Sequence, residues 1–84
     1  MTLRDYLYER LLFKSEYVDD FIISSSNEIV VGSGSYVDIL ESIRDGRLSD
    51  DVLDSMVTNE SRIRDDENKL TYNIITIDMV VSDV

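Results

Sequence analysis

Two periods divide the apolar positions of this chain. Leu3, Tyr6, Leu7 and Leu11, with Arg10 among them, recur at helical spacing, which predicts a helix over about residues 3–14. Thr2 to Asp5 reads as a capping box, with the Thr2 hydroxyl placed to take a free amide and Asp5 in the first turn. The period then shortens. Two β-branched runs, Phe21–Ser24 and Glu28–Val31, flank Ser25-Ser26-Asn27, which is turn chemistry, and together they predict a hairpin. Ser35 to Asp38 repeats the capping signature, and Tyr36, Ile39, Leu40 and Ile43 form one helical stripe. Arg44 suits the negative end of the helix dipole and Gly46 suits a left-handed stop, so the second helix is expected over about 36–45. Ser49-Asp50-Asp51 is placed to cap one further turn containing Val52 and Leu53.

The last third predicts a second hairpin: a strand over Met56–Arg64, a turn at Asp65-Asp66-Glu67-Asn68, and a strand over Lys69–Val81. The final strand changes phase. Leu70, Tyr72 and Ile74 share one face, whereas Ile75, Ile77, Met79 and Val81 share the other. Either a bulge near Ile74 shifts the register or both faces are covered, the second by another copy or a bound partner. The order α-β-β-α-β-β gives an expected α+β fold of two layers. Its sheet would be four-stranded and antiparallel, with two helices on one face, in a single domain over residues 1–84.

Composition narrows the chemistry. The chain has no cysteine and no histidine, which removes disulfides, thiolate metal sites and the commonest general base. No apolar run approaches a membrane span, and the opening MTLRDYLYER is too charged for a signal peptide, so a cytoplasmic protein is expected. Charge is the strongest feature. Eighteen carboxylates face eight basic residues, for a net charge of −10. Residues 1–18 balance, whereas residues 19–43 carry Asp19, Asp20, Glu28, Asp38 and Glu41 and no base. Nucleic acid and anionic membrane are therefore poor partners, and a basic protein surface is the natural complement.

The segment VVGSGSYVDI, Val30 to Ile39, has the look of a phosphate-cradling loop. A dinucleotide fingerprint, however, needs a third glycine where Val37 stands, and a Walker-type loop needs a lysine. Gly32 and Gly34 are read instead as a joint that releases the chain from the sheet so that Ser35 caps the helix, and no cofactor is expected. The pairs and triplets Asp19-Asp20, Asp50-Asp51-Asp54 and Asp65-Asp66-Glu67 lie in expected turns or helix starts, where solvated acids are ordinary. A magnesium or calcium ion on Asp50, Asp51 and Asp54 is the metal alternative. Serine has nothing here to activate it, so no enzyme is expected. Among the tyrosines, Tyr36 and Tyr72 fall on core stripes, while Tyr8 points away from the Leu3–Leu7 stripe and is either an interface anchor or the cover of a second core face.

A folded chain of this length has a diameter of roughly 30 Å. The same length of duplex DNA carries about 18 phosphates, so the protein's charge density lies within a factor of about two of DNA. The opening TLRDYL, the short hairpin, the capped helix and the closing DENKLTYNIITID resemble small acidic proteins of bacteriophages and mobile elements of Gram-positive bacteria. That group includes the anti-CRISPR proteins that imitate DNA. The resemblance implies a stoichiometric inhibitor that blocks a DNA-binding site, such as that of a Cas nuclease. Its expected surface is Asp19, Asp20, Asp38, Glu41, Asp50, Asp51, Asp54, Asp65, Asp66 and Glu67. The rival expectation is a small acidic adaptor that works as a homodimer, its charge serving solubility.

Overall fold

The structure, a computed structural model, describes residues 1–12 and 20–81. It contains helix α1 (Leu3–Leu12), strands β1 (Asp20–Ser24) and β2 (Val30–Ser35), helix α2 (Tyr36–Arg44), the single turn α3 (Asp50–Leu53), and strands β3 (Val57–Asp65) and β4 (Leu70–Ile77). The α+β class and the four strands are as expected. The end of the first expected helix and the whole of Asp19 lie outside the described residues.

Two features of the architecture differ from expectation. The sheet is mixed, not antiparallel: its order is β2-β1-β4-β3, and β1 runs parallel to β4. Each hairpin pairs internally as expected, β1 with β2 and β3 with β4. The two hairpins join through their inner strands, and the intervening α2 and α3 return the chain so that these strands point the same way. The second difference is the helix count: the further turn expected at Val52 and Leu53 forms as a third helix, Asp50–Leu53, of four residues, with no side-chain cap from Ser49.

Local chemistry accounts for the helix starts. The Thr2 hydroxyl accepts the Asp5 amide at 3.2 Å. At α2 the capping box is complete: Ser35 Oγ accepts the Asp38 amide at 3.3 Å, and Asp38 Oδ2 accepts the Ser35 amide at 3.0 Å. Gly46, at φ +77°, takes the left-handed position just beyond the C-terminus.

Side chains from all three helices bury one face of the sheet. Leu3, Tyr6 and Leu7 of α1, Ile39 of α2, and Val52 and Leu53 of α3 pack with Leu48 against Phe21, Ile23, Ile75 and Ile77. Leu40, expected on the same stripe as Ile39, is instead exposed. Within β4 the pairing to β1 continues without a shift from Tyr72 to Thr76, so no bulge sits near Ile74. The sheet's irregularities lie in β2 and β3, between Ile23/Ser24 and Val57/Asn59 of their respective ladders. The phase change therefore has the other explanation in part. Ile75 and Ile77 face the helices and are buried, while Leu70, Tyr72 and Ile74 face the opposite side, half-buried and outside the core cluster.

The final strand is also shorter than expected. It ends at Ile77, after which the Met79 carbonyl accepts from the Ser26 amide at 2.8 Å, and Asn27 bonds both polar groups of the Val81 backbone, at 2.8 and 3.1 Å. Residues 79–81 thus satisfy their backbone on the β1–β2 turn rather than on a neighbouring strand.

Candidate functional site

The glycine segment is not a loop. Gly32 and Gly34 lie inside β2, which runs on to Ser35 rather than stopping at Val31. A Cβ at Gly32 would stand 2.9 Å from Leu48 Cδ2. Gly34 has φ +132°, and a Cβ there would stand 2.7 Å from that of Asp38. The glycines let α2 turn back tightly over its own strand. The start of α2, where a phosphate would approach, is filled by the Asp38 carboxylate.

The sheet topology sorts the acids between two ends. Asp20 begins β1, Ser35 ends β2, and the turn Asp65–Lys69 joins β3 to β4, all at one end. Asp38, in the first turn of α2, belongs to the same end. The other end holds α3 with Asp50, Asp51 and Asp54, because the chain there leads through Met56 into the start of β3, opposite Ile77. Glu41 lies midway along α2. At about 3.3 Å per residue along the strands, the two acidic ends are roughly 20 Å apart.

Five of the nine described carboxylates of that group make contacts within the fold. Asp38 caps α2. Asp50 and Asp54 both accept from Arg4, at 3.3 and 3.1 Å, tying α3 to the first turn of α1. Those hydrogen bonds, with Asp54 the larger contributor, raise the affinity of the Arg4 guanidinium for its proton. Asp65 orders the β3–β4 turn by accepting from the side-chain amide of Asn68 at 2.9 Å and from the backbone amides of Asn68 and Glu67. The Asn68 contacts lead in holding the Asp65 carboxyl below its usual range. Asp66 pairs with Arg64 at 3.5 Å. Among the described residues, the side chains of Asp20, Glu41, Asp51 and Glu67 make no such contact, and no group of three or more carboxylates is disposed to hold a metal ion. Asp50 and Asp54, the core of the metal alternative, face an arginine instead.

The two-layer expectation, with the helices on one face, leaves the other sheet face without helical cover, and among the described residues it is so. Strand alternation and register place Ile22, Leu70, Tyr72, Ile74 and Ile63 there. Ile63 is 49% exposed, and Val30, which joins them opposite Ser24, is 55% exposed. The charged residues of the strands on this face are Asp20 and Asp65, both at one end, and neither lysine nor arginine is among them. Asp78 follows β4 at the other end. The phase change of the last strand carries this signal: Tyr72, expected on a core stripe, alternates with the buried Asn73 and Ile75 and so lies on the opposite face, outside the core cluster. Tyr8 is 48% exposed on α1, which answers to the first of its two expected roles and not to the cover of a second core face.

The opposite face contains one buried polar pair that sequence reasoning missed. Asn73, fully buried in β4, donates its amide to the Tyr6 hydroxyl of α1, and its Oδ1 has no hydrogen-bond partner among the described residues. This pair fixes α1 over β4. Among the described residues no helix is long and apolar enough to cross a membrane. No protein-family model, no curated protein and no solved structure matches this chain.

Proposed function

We propose that the protein acts without catalysis, as an acidic binding module that docks its uncovered sheet face on a basic surface of another protein. In the form that its sequence resemblance implies, that surface is the nucleic-acid site of an enzyme such as a Cas nuclease, and docking occludes it. The observation that supports this reading is the make-up of the face: an apolar centre with carboxylates toward its ends and no cation among its strand residues. A face of this kind favours a partner whose apolar contacts are flanked by lysine or arginine.

Size sharpens the reading. Four strands at about 4.8 Å spacing, each some 20 Å long, offer a footprint of about 400 Å². A stable interface takes about 800 Å² from each partner. The sheet face therefore supplies about half, and the acids at its ends, Asp20, Asp66 and Glu67 among them, supply contacts beyond it. Their negative potential would also speed encounter with a basic partner at low salt.

The experiment is capture from a bacterial lysate on the immobilised protein at low salt, followed by elution with duplex DNA. The expected result is a basic nucleic-acid-binding protein that DNA displaces and high salt releases. Recovery of no species that DNA displaces would contradict the reading.

A further inference from the structure

The β1–β2 turn holds more than its own hairpin. Three of its groups bond to the main chain of the segment that follows β4. The Ser26 amide and the Ser26 hydroxyl both donate to the Met79 carbonyl, each at 2.8 Å. The Asn27 side chain donates to the Val81 carbonyl at 2.8 Å and accepts the Val81 amide at 3.1 Å. A carboxamide that meets both polar groups of one residue does what the facing residue of an antiparallel strand does. All of these bonds reach main-chain atoms, and the Val80 side chain between them is 74% exposed.

The clasp is set in place from beneath. Ser25 is buried, and its hydroxyl donates to Asn27 Oδ1 while accepting the Ile29 amide at 3.1 Å. These contacts fix which way the Asn27 carboxamide faces. The turn closes through Glu28 at φ +64°, a left-handed position where a residue other than glycine is uncommon. Backbone strain of that kind collects at ligand clamps and switch regions.

The held segment is tied less firmly than the strands. It leaves β4 by a three-residue turn, the Met79 amide donating to the Ile77 carbonyl at 2.9 Å. Met79 is half-buried and packs against the core cluster, whereas Val80 points to solvent. β1 and β4, by contrast, each have a paired strand on both sides. A segment held by a few exposed hydrogen bonds and one half-buried side chain opens at lower cost than strands of the core. Its opening vacates the seat of Met79 and the clasp together.

We propose that the clasp of Ser25, Ser26 and Asn27, with the apolar seat of Met79, is a binding site for an extended peptide, closed in cis by residues 79–81. Its ligand is an extended chain with a flexible apolar side chain, such as methionine. Two residues further on it has a residue other than proline, whose N–H and C=O the Asn27 carboxamide takes. Affinity comes from main-chain bonds and selectivity from the one seated side chain. The site does not rest on the docking proposal, because it is built from the turn and not from the sheet face.

Amide hydrogen exchange on the full chain tests the closed form. The Ser26 and Val81 amides are expected to be protected, and to exchange together roughly tenfold or more faster than the amides within β1 and β4. Asn27→Ala should speed exchange at Val81 by about a further tenfold and leave β1 and β4 unchanged. A synthetic peptide with the sequence of residues 77–81 and blocked ends tests the open form. Titrated to millimolar concentration into a Met79→Ser chain whose fold circular dichroism verifies, it should shift the resonances of residues 25–29. Adding Asn27→Ala should abolish those shifts. Unprotected Ser26 and Val81 amides in the wild type would overturn the proposal, as would their exchange only with global unfolding. So would a peptide that leaves residues 25–29 unmoved, or that moves them equally without the Asn27 carboxamide.

Discussion

β4 and β3 are neighbours in one hairpin, yet they meet opposite fates. In β4, Asn73, Ile75 and Ile77 are shielded under the helices. In β3, seven consecutive side chains from Thr58 to Arg64 are exposed, Ile63 among them. Main-chain pairing does not separate the two, since both belong to the same ladder. Coverage does. The helical residues in the buried cluster pack with β1 and β4, and β3 lies beyond them at the edge. The lesson is that this small fold concentrates its buried side chains on two inner strands, while β3 stays exposed and no described helix covers the far face of the sheet.

That contrast predicts a gradient of mutational effects. Ile75→Ala, at a fully buried position, should cost about 2–5 kcal/mol, while Ile63→Ala in the adjoining strand should cost about 1 kcal/mol or less. Urea denaturation of the two variants measures both, and equal losses would erase the distinction between strands. Tyr6→Phe removes the group that receives the buried Asn73 amide, with an expected loss of about 1–3 kcal/mol. Adding Asn73→Leu to Tyr6→Phe should recover part of it; a further loss would assign the pair no polar role. Gly34→Ala forces a side chain into a left-handed backbone and against Asp38, for a similar or smaller loss of about 1–3 kcal/mol.

The smallest effect belongs to the exposed turn beside β3. The Asp65 carboxyl titrates below its ordinary value of 3.8 because Asn68 and Glu67 donate to its ionised form. A depressed native value means that ionisation favours the folded state. The stabilisation is present above the unfolded value and fades as pH falls through the native one. Thermal melts should therefore show Asp65→Ala below the wild type at neutral pH, with the gap closing in acid below the ordinary carboxylate range. A gap that widened in acid would reverse the sign.

The parts that were legible in the sequence are those governed by near neighbours. Thr2 with Asp5 and Ser35 with Asp38 each close a hydrogen-bonded cap within four residues, and Gly46 stops its helix in the expected way. The Asp65–Asn68 turn is equally local. The illegible parts are contacts at long range. Nothing in Phe21–Ser24 or Leu70–Ile77 specifies that these strands become parallel neighbours, since that depends on how α2 and α3 carry the chain between them. The Arg4 bridge to Asp50 and Asp54 spans more than forty residues. Because that bridge and the caps draw acids into structural work, the described members of the expected acidic surface divide between two ends and the middle of α2, and between different tasks. An asparagine inside the apolar run of β4 was the available sign of the Tyr6 contact.

The most direct measurement compares two variants in the lysate capture. Tyr72→Glu places a charge at the centre of the uncovered face, and Leu40→Glu places one at an exposed position on α2. The account predicts that Tyr72→Glu abolishes recovery of the DNA-displaced protein while Leu40→Glu preserves it. Undiminished recovery on Tyr72→Glu, with folding intact, would contradict the assignment of binding to the bare side of the sheet.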